Sequence, residues 1–489
     1  MKFLAIPVLV FCCACGQASG ASRDTLSAID SYLRKLEAEH HFSGGLLIVD
    51  HGRKVFSKGY GWADRQRQIR FTPRTLASIG SITKSFTAVA IMKLAEQGKL
   101  AVTDPISKYF SDVPADKAGI TIHQLLTHSG GFHEFLKADG GDYEAVDQAA
   151  FLRRAWSEPL LFAPGARAQY TNVGFSLLGM IIEKVAGQSY ESYLKELFGP
   201  TGVRAIGYRY PAIPGDTIAV GYRNGERWGT HQEHFAAAGG GPYWNLKANG
   251  GLEASLGDMF RWITAIDNGA VLNQGSLASL FKPHIQEEAN QQQEIWFGYG
   301  CNISRSSRGY RVIGNGGSNG IYFARLLRFP DQGLAFYMVT NEQSMNTNMV
   351  LPNVLQLYFD GAITKDAVAQ RPRFENPQSE VVASLLDKPG VSDLGAALQE
   401  AGVVVDDDMV LLEVGQQLME KGQYERARLL YEYYTRQFPR IVVSWNDLAD
   451  VYLALKDPVR ARTCFEQALR IRPENPRAKE GLRKLDEKK

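Results

Sequence analysis

Ser81 and Lys84 are the two residues of this chain whose types and spacing best suit catalysis. They open a long apolar run that continues to Gly98, which predicts a buried helix. Positions three apart share a helix face, about 5–6 Å apart at Cβ, so the hydroxyl and the amine are neighbours. Burial lowers the pKa of a lysine, and a neutral lysine beside a serine is a base with its nucleophile. The alternative is an N-cap serine with a lysine that reaches to solvent.

Tyr170 and Asn172 supply two more polar groups, just before a second apolar run over 175–182 that predicts another helix. A phenol can accept or return a proton, and an amide can hold an amine or a substrate by hydrogen bonds. Far downstream, the sequence Asn-Gly-Gly-Ser at 315–318 ends a strand-like run.

In this order, S-x-x-K, Y-x-N and the 315–318 segment resemble the three signature elements of the serine β-lactamase-like hydrolases. That superfamily includes penicillin-binding D,D-peptidases and related esterases. The resemblance spans about residues 25 to 360, and ordered motifs over this length are far more specific than any one of them. The intervening segments that also look like the family are 71–75, 98–100, 104–105, 125–131 and 249–252.

The resemblance implies a role for each matched residue. Ser81 would attack a carbonyl and become an acyl-enzyme, with Lys84 or Tyr170 as the base; the sequence does not decide between the two. Asn172 would orient Lys84 or the substrate. The backbone N–H groups of Ser81 and Ser318 would form an oxyanion hole.

Asn315 departs from the family pattern, which places Lys or His before the glycine matched by Gly317. Both residues belong to the expected substrate-binding strand. An asparagine donates a hydrogen bond but carries no charge. Recognition of penicillins or of D-Ala-D-Ala termini, which present a carboxylate, is therefore put in doubt.

Residues 316–320 also fit G-x-S-x-G, the nucleophile elbow of α/β-hydrolases. That elbow leads into a helix and is followed by an acid and then a histidine. Here residues 321–325 read as a strand, and no histidine follows His284. The elbow interpretation fails on both counts.

The histidines are expected to have structural roles. His231 and His234 have a spacing that could bind a metal, but no carboxylate or cysteine cluster accompanies them, so two surface histidines in a mobile loop are expected. His128 and His133 are expected to be loop-forming hydrogen-bond donors. We infer no metal and no nucleotide cofactor.

Composition is that of a soluble globular protein of two or three domains: 489 residues, 45% hydrophobic and 22% charged. A net charge of +2 gives no reason to expect a nucleic-acid or membrane-surface partner. Lys2, an apolar stretch over 3–15 and small residues over 18–21 have the form of a secretory signal peptide. The alternative is a buried N-terminal strand. A secreted or periplasmic protein is expected.

Three of the five cysteines lie in this leader. Cys15 is a candidate for lipid attachment, as in a bacterial envelope lipoprotein, although Cys12 is a poor fit to the apolar residue usual three positions earlier. Cys301 and Cys464 would remain after cleavage, and they need not pair.

The order of elements predicts an α+β fold. Hairpins are expected at 45–60 and 321–341, with helices between, so one antiparallel sheet would form from the two ends of the domain around a helical insertion. A first helix is expected over 25–38. Loops over the substrate cleft are expected at 210–250. The family resemblance implies the same architecture.

The C-terminal part repeats itself with a shift of 34 residues, which aligns Ala427 with Ala461 and Tyr431 with Phe465. This is the signature of tetratricopeptide repeats. The expected organisation is a leader at 1–21, a hydrolase domain at 22–360, a partly helical linker at 361–405, and repeats with a capping helix at 406–489.

Three functions follow from these patterns. The first is a serine hydrolase that acts on a small ester, amide or peptide through acyl-Ser81, with a protein partner for the repeats. The second is a D-amino-acid-specific peptidase or β-lactamase of the same fold. The third is a non-catalytic envelope protein that binds through its repeats.

Overall fold

The computed structural model describes residues 22–137, 140–203, 206–209, 213, 215–223, 226–287, 294–366, 368, 376–473 and 475–486. The expected signal peptide at 1–21 and the candidate lipid site Cys15 lie outside the described residues. No helix in the described ranges is long and apolar enough to cross a bilayer.

An eight-stranded antiparallel sheet organises the first domain, in the order β2-β1-β14-β13-β12-β11-β10-β9. Its strands are β1 (Gly44–Asp50), β2 (Arg53–Tyr60), β9 (Ile285–Gln286), β10 (Trp296–Phe297), β11 (Asn302–Arg305), β12 (Arg311–Ser318), β13 (Phe323–Phe329) and β14 (Leu334–Thr340). The two predicted hairpins are β1–β2 and β13–β14, and they join within the sheet because β1 pairs with β14. The expectation of one sheet built from both ends of the domain is confirmed.

Both faces of the sheet are covered, because side chains alternate along each strand. Leu46 and Ile48 of β1 pack in a core shared with two helices, the first helix of the chain and the helix that follows β14. Leu47 and Val49 pack in a larger core on the opposite face, against the helical insertion. All four are almost fully buried, so the domain has three layers with the sheet in the middle.

Ten α-helices belong to the described part of this domain. They are α1 (Arg23–His40), α2 (Thr83–Glu96), α3 (Ile122–Leu126), α4 (Gln148–Ser157), α5 (Val173–Ala186), α6 (Tyr190–Phe198), α7 (His231–Ala237), α8 (Leu256–Asp267), α9 (Gln274–Leu280) and α10 (Thr347–Asp360). Helices α1 and α10 contact each other on one face of the sheet. Helices α2 and α5 contact each other within the larger core on the other face.

Short strands pair in the loops beside the insertion. They are β3 (Trp62–Asp64) with β4 (Ile69–Arg70), β5 (Ala77–Ser78) with β8 (Glu253–Ala254), and β6 (Gly221–Arg223) with β7 (Glu226–Gly229). The 210–250 segment was expected to be loops, and that expectation was wrong in part. It contains the β6–β7 hairpin and α7, whose start is fixed by a capping box between Thr230 and Glu233.

The C-terminal part is a separate helical stack. Its helices are α11 (Pro377–Asp387), α12 (Leu394–Glu400), α13 (Asp408–Glu420), α14 (Tyr424–Gln437), α15 (Val442–Ala454), α16 (Pro458–Ile471) and α17 (Pro476–Asp486). Ala427, Tyr431, Ala461 and Phe465 are all buried in its core, so the aligned positions of the two repeats fill equivalent places. Helices α11 and α12 lie in the segment expected to be a partly helical linker, and they contribute to this core.

Candidate active site

Ser81 lies in a 3₁₀ turn, Gly80–Ile82, that leads directly into α2. In a 3₁₀ helix residues three apart are eclipsed, which places the Ser81 side chain above Lys84. The turn is held by the Thr83 hydroxyl, which donates to Gly80 O at 2.6 Å. Gly80 has φ +47°, a left-handed conformation that glycine adopts readily.

Lys84 is buried, with 3% of its surface exposed, and its amine has three polar neighbours. Nζ donates to Asn172 Oδ1 at 2.6 Å and to Asn249 O at 2.8 Å. Nζ also lies 3.1 Å from Ser81 Oγ. The two asparagine oxygens are acceptors only, so they take two N–H groups of the amine and leave its third direction facing Ser81.

Burial lowers the pKa of Lys84 to about 7, while the negative charges of Glu134 and Asp142 oppose that shift. About half of the amine is therefore neutral at pH 7, against almost none for a lysine in water. A neutral amine with two N–H groups engaged directs its lone pair at the serine hydroxyl. Sequence analysis placed Lys84 and Asn172 here but assigned no role to Asn249, whose backbone carbonyl holds the amine.

Tyr170 completes the polar cluster. Its phenol is hydrogen-bonded to Ser81, and its ring centroid lies 4.7 Å from Lys84 Nζ. Burial raises its pKa well above the usual value, so the phenol stays protonated. His128 stacks on the Tyr170 ring at a centroid distance of 4.7 Å, and its Nδ1 accepts from the backbone N–H of Thr171 at 3.1 Å.

His128 was expected to donate hydrogen bonds within a loop, and its Nδ1 acts as an acceptor instead. Burial lowers the pKa of His128 well below its usual value, so the ring is neutral. His133 contributes its backbone carbonyl, which accepts from the Thr171 hydroxyl at 2.7 Å. Both histidines thus hold the Y-x-N segment in place.

The Gly80–Ile82 turn and β12 meet through two glycines. A Cβ atom at Gly80 would lie 2.5 Å from Ser318 N, and a Cβ atom at Gly317 would lie 2.7 Å from Ser81 N. Strand β11 pairs with β12 only as far as Gly314, so the end of β12 keeps one edge open toward Ser81. The backbone nitrogens of Ser81 and Ser318 lie on either side of this contact.

Asn315 does not present its amide nitrogen to the cleft. Its Nδ2 donates to Gly300 O at 2.6 Å, which ties the strand to the segment before β11. A positive charge near this strand is Arg325 on β13, which lies opposite Gly316 in the sheet register and has its guanidinium 2.8 Å from where a Gly316 Cβ would be. Within the described ranges the Arg325 guanidinium has no hydrogen-bond or ion-pair partner, and burial lowers its pKa.

The remaining sequence candidates are placed as follows. Ser318 Oγ accepts from Gly320 N at 2.9 Å. The chain then enters the strand β13, whereas a nucleophile elbow would lead into a helix, so the structure agrees with the rejection of the elbow. His231 and His234 were expected in a surface loop, but both belong to a helix, where His231 is buried and His234 is partly buried. They lie in α7 in an aromatic cluster with Tyr143, where burial lowers their pKa to about 3 and about 4. The described residues contain no group of three or more metal-ligating side chains.

Comparison with known proteins agrees with this geometry. The Beta-lactamase family model matches residues 29–358, and a Tetratricopeptide repeat model matches residues 418–485. The first match covers well over half of the chain. This protein therefore belongs to the Beta-lactamase family of serine hydrolases, which includes penicillin-binding proteins and esterases, and the sequence assignment is confirmed.

Individual relatives are similar over the same region. A protein of Bacillus subtilis (strain 168) named PbpX is 30% identical over 266 residues, which cover 53% of this chain and 63% of PbpX, less than two thirds of its length. An octameric penicillin-binding protein homologue from Pyrococcus abyssi is 25% identical, with a TM-score of 0.62, over 74% of this chain and 82% of that chain. EstCE1, a hydrolase with promiscuous acyltransferase activity, shares the fold at 20% identity and a TM-score of 0.59, over 69% of this chain and 98% of its own.

Proposed function

We propose that this protein is a serine hydrolase that cleaves an ester or an amide through an acyl-enzyme on Ser81. One observation carries the proposal. The Lys84 amine is buried, donates to Asn172 and Asn249, and has its third direction 3.1 Å from Ser81 Oγ. Burying a lysine is costly, so this arrangement is hard to explain unless the amine serves the serine.

Acylation would begin with transfer of the Ser81 hydroxyl proton to Lys84 Nζ, as Oγ forms a bond to the substrate carbonyl carbon. The carbonyl oxygen becomes an oxyanion, stabilised by the backbone N–H groups of Ser81 and Ser318. When the intermediate collapses, the bond to the leaving group breaks. The leaving group takes a proton from Tyr170, and Lys84 returns its proton to Tyr170.

Lys84 suits the role of base better than Tyr170, because the two pKa values move in opposite directions. The lysine pKa falls to about 7, and the tyrosine pKa rises above its usual value. Deacylation would use the same groups in reverse: Lys84 takes a proton from water, hydroxide attacks the acyl carbon, and Ser81 leaves with a proton.

The test combines a fluorophosphonate probe, a labelled penicillin and mass spectrometry of the modified residue. Labelling of Ser81 by the fluorophosphonate supports an active serine hydrolase, and its absence in Ser81→Ala is the control. A probe adduct on Ser318 or on no residue would overturn the proposal. Turnover of neutral activated esters, measured beside penicillin, distinguishes an esterase from a β-lactamase.

A D-amino-acid-specific peptidase or a β-lactamase is the second candidate, and Arg325 favours it. Its guanidinium has no counter-ion in the part of the chain that the structure describes, and it lies against Gly316 on the substrate-binding strand. A carboxylate-bearing substrate would pair with it. Under either activity we propose a secreted or periplasmic location, from the leader sequence, and a protein partner for the repeats.

A non-catalytic binding protein is the weakest of the three functions. It would have no need of a buried amine beside a serine hydroxyl, or of a tyrosine held over that amine by a stacked histidine. Lack of any Ser81 adduct, with the repeats still binding a partner, would reverse this ranking.

A further inference from the structure

The carbonyl that holds the Lys84 amine lies at the end of an irregular segment, so its position depends on what holds that segment. Asn249 O accepts from Lys84 Nζ at 2.8 Å, and residues 244–249 form consecutive turns between α7 and β8. A helix or a strand fixes its carbonyls through its own ladder of hydrogen bonds, whereas a run of turns does so only in part. Other groups must therefore keep Asn249 where its oxygen meets the amine.

The backbone just before Asn249 is held in an unfavourable conformation. Ala248 has φ +69°, in the left-handed region that residues with a Cβ atom rarely adopt. Its N–H donates to the Tyr208 hydroxyl at 2.8 Å, and its carbonyl accepts from the Thr87 hydroxyl at 2.7 Å. Its Cβ is fully buried and lies 2.4 Å from the position of an added Cβ at Gly179, so α5 fits closely against it. The surroundings thus fix this conformation from three sides.

The Asn249 side chain is the second hold on the segment. Its Nδ2 donates to Asn245 O at 2.8 Å and to Ser176 Oγ at 2.9 Å. The Ser176 hydroxyl also lies within hydrogen-bond distance of two carbonyls of the segment, Trp244 O at 2.8 Å and Lys247 O at 3.2 Å. Asn249 is 4% exposed and Ser176 is fully buried, so water does not compete for these bonds.

Both supports come from the helices that carry the candidate catalytic groups. Ser176 lies four residues after Asn172, which immediately precedes α5, and Thr87 lies three residues after Lys84 in α2. Residues three or four apart share a helix face. One face of α5 therefore supplies the first acceptor of the amine through Asn172, and it fixes the second through the bond between Ser176 and Asn249.

We propose that Asn249 is a positioning residue for the hydrolysis: its side chain, held by Ser176, keeps its own carbonyl on Lys84 and so directs the lone pair of that amine at Ser81. This inference rests on the proposed hydrolase function and deepens it. With the carbonyl displaced, Lys84 would keep one fixed acceptor, Asn172, and its amine could rotate away from the serine.

The test compares Asn249→Ala and Ser176→Ala with the wild type, all as the full chain. Both variants keep the Asn249 carbonyl and release the segment that carries it. With a neutral activated ester, kcat is expected to fall about 10- to 100-fold, as for a displaced catalytic group, and KM to change little. The rate at which a fluorophosphonate labels Ser81 should fall by a similar factor, because it depends on the same base.

The pH profile separates positioning from a merely structural role. A carbonyl that accepts from an amine stabilises the ammonium form more than the neutral form, so loss of the contact should lower the pKa of Lys84. The rise of kcat/KM with pH should then move to lower pH in both variants. The other titratable groups that face Lys84 are the carboxyls of Glu134 and Asp142, the His128 ring and the Tyr170 phenol, and all four are kept in both variants.

Asn353→Ala is the matched control. Asn353 is a fully buried asparagine of α10, on the opposite face of the sheet, and its Nδ2 also makes two hydrogen bonds, to the Tyr32 hydroxyl and to Asp366 Oδ1, both at 2.8 Å. This variant should lose thermal stability and keep the kcat and the pH profile of the wild type. If Asn249→Ala does not fold, Ser176→Ala, which removes a single oxygen atom, decides the outcome alone.

Variants that lose stability but keep the kcat and the pH profile of Asn353→Ala would overturn the inference, while labelling of Ser81 in the wild type would still support a hydrolase. A fall in kcat without a shift of the profile to lower pH would also overturn it, because the Asn249 carbonyl would then still hold the amine. If the wild type is neither labelled by the fluorophosphonate nor active on any ester, the proposed function itself is overturned, and this inference with it.

Discussion

Gly317 and Gly80 face each other backbone to backbone, and neither has room for a side chain. A Cβ atom at Gly317 would overlap Ile79 O and lie 2.7 Å from Ser81 N. This contact sets the distance between the nucleophile's turn and the end of β12, and thereby the spacing of the two proposed oxyanion donors.

Gly317→Ala should therefore push the turn that carries Ser81 away from the end of β12. We expect kcat to fall about 100- to 1000-fold, the loss typical for one oxyanion-hole donor. Gly314→Ala is the matched control on the same strand, because its Cβ would make an ordinary contact of 3.4 Å with Leu327. Steady-state kinetics with a neutral ester and thermal unfolding of both variants measure the effect. Equal activity of the two variants would contradict the proposed oxyanion hole.

Ser81→Ala should abolish probe labelling and turnover and leave the fold intact. Ser318→Ala should retain measurable activity, because the mechanism uses only the Ser318 backbone N–H. Its hydroxyl accepts from Gly320 N, so a modest loss from a looser turn is expected. Circular dichroism checks the fold of both variants. If Ser318→Ala loses all activity while its fold is intact, the assignment of Ser81 as the nucleophile is contradicted.

The pH profile of kcat/KM should report the base. Because Lys84 must be deprotonated to act and its pKa is about 7, activity toward a neutral ester should rise with pH, reach half its maximum near pH 7, and level off above it. Asp142→Asn should shift this limb to lower pH, since a negative neighbour raises the lysine pKa. A rise that begins only in the alkaline range where tyrosine ionises would instead indicate Tyr170 as the base.

Asn315 should leave the wild type a poor enzyme for penicillins. It carries no charge, and its Nδ2 is engaged with Gly300 O. A charged anchor makes hydrogen bonds worth roughly 1.5–3 kcal/mol against about 1 for a neutral one. Asn315→Lys should therefore improve acylation by penicillin more than cleavage of a neutral ester, with kcat/KM compared for both substrates.

Arg325→Gln is the companion variant for that experiment. If the wild type turns over penicillin efficiently and Arg325→Gln removes this activity selectively, then the guanidinium supplies the charge that Asn315 lacks. The prediction about Asn315 would then be wrong. If neither variant changes the ratio of kcat/KM for penicillin to kcat/KM for the neutral ester, this end of β12 does not contact the substrate carboxylate.

Truncation after residue 375 should leave a folded hydrolase domain. The apolar cores of the first domain and of the C-terminal helical stack contain no common residue. A small neutral ester should be hydrolysed with kcat/KM within roughly an order of magnitude of the full chain, because no catalytic candidate lies beyond Ser318. Thermal unfolding and ester kinetics measure this, and an unfolded product would mean that the two parts fold as one.

The sequence by itself determined the features that depend on neighbours along the chain. Ser81 and Lys84 are three residues apart, so helical geometry alone brings them together. The β1–β2 and β13–β14 hairpins follow from strand patterns joined by short turns, and the repeats follow from a fixed period of small and aromatic residues. Each of these patterns is local, so it can be recognised from the sequence alone.

Only the tertiary structure decided what surrounds Ser81 and Lys84. Asn249 is 165 residues from Lys84, and its contribution is a backbone carbonyl that no side-chain motif reveals. His128 accepts from a residue 43 positions away and stacks on Tyr170. The burial that lowers the lysine pKa comes from packing between distant segments. A side chain's protonation depends on its whole surroundings, and those exist only after the chain has folded.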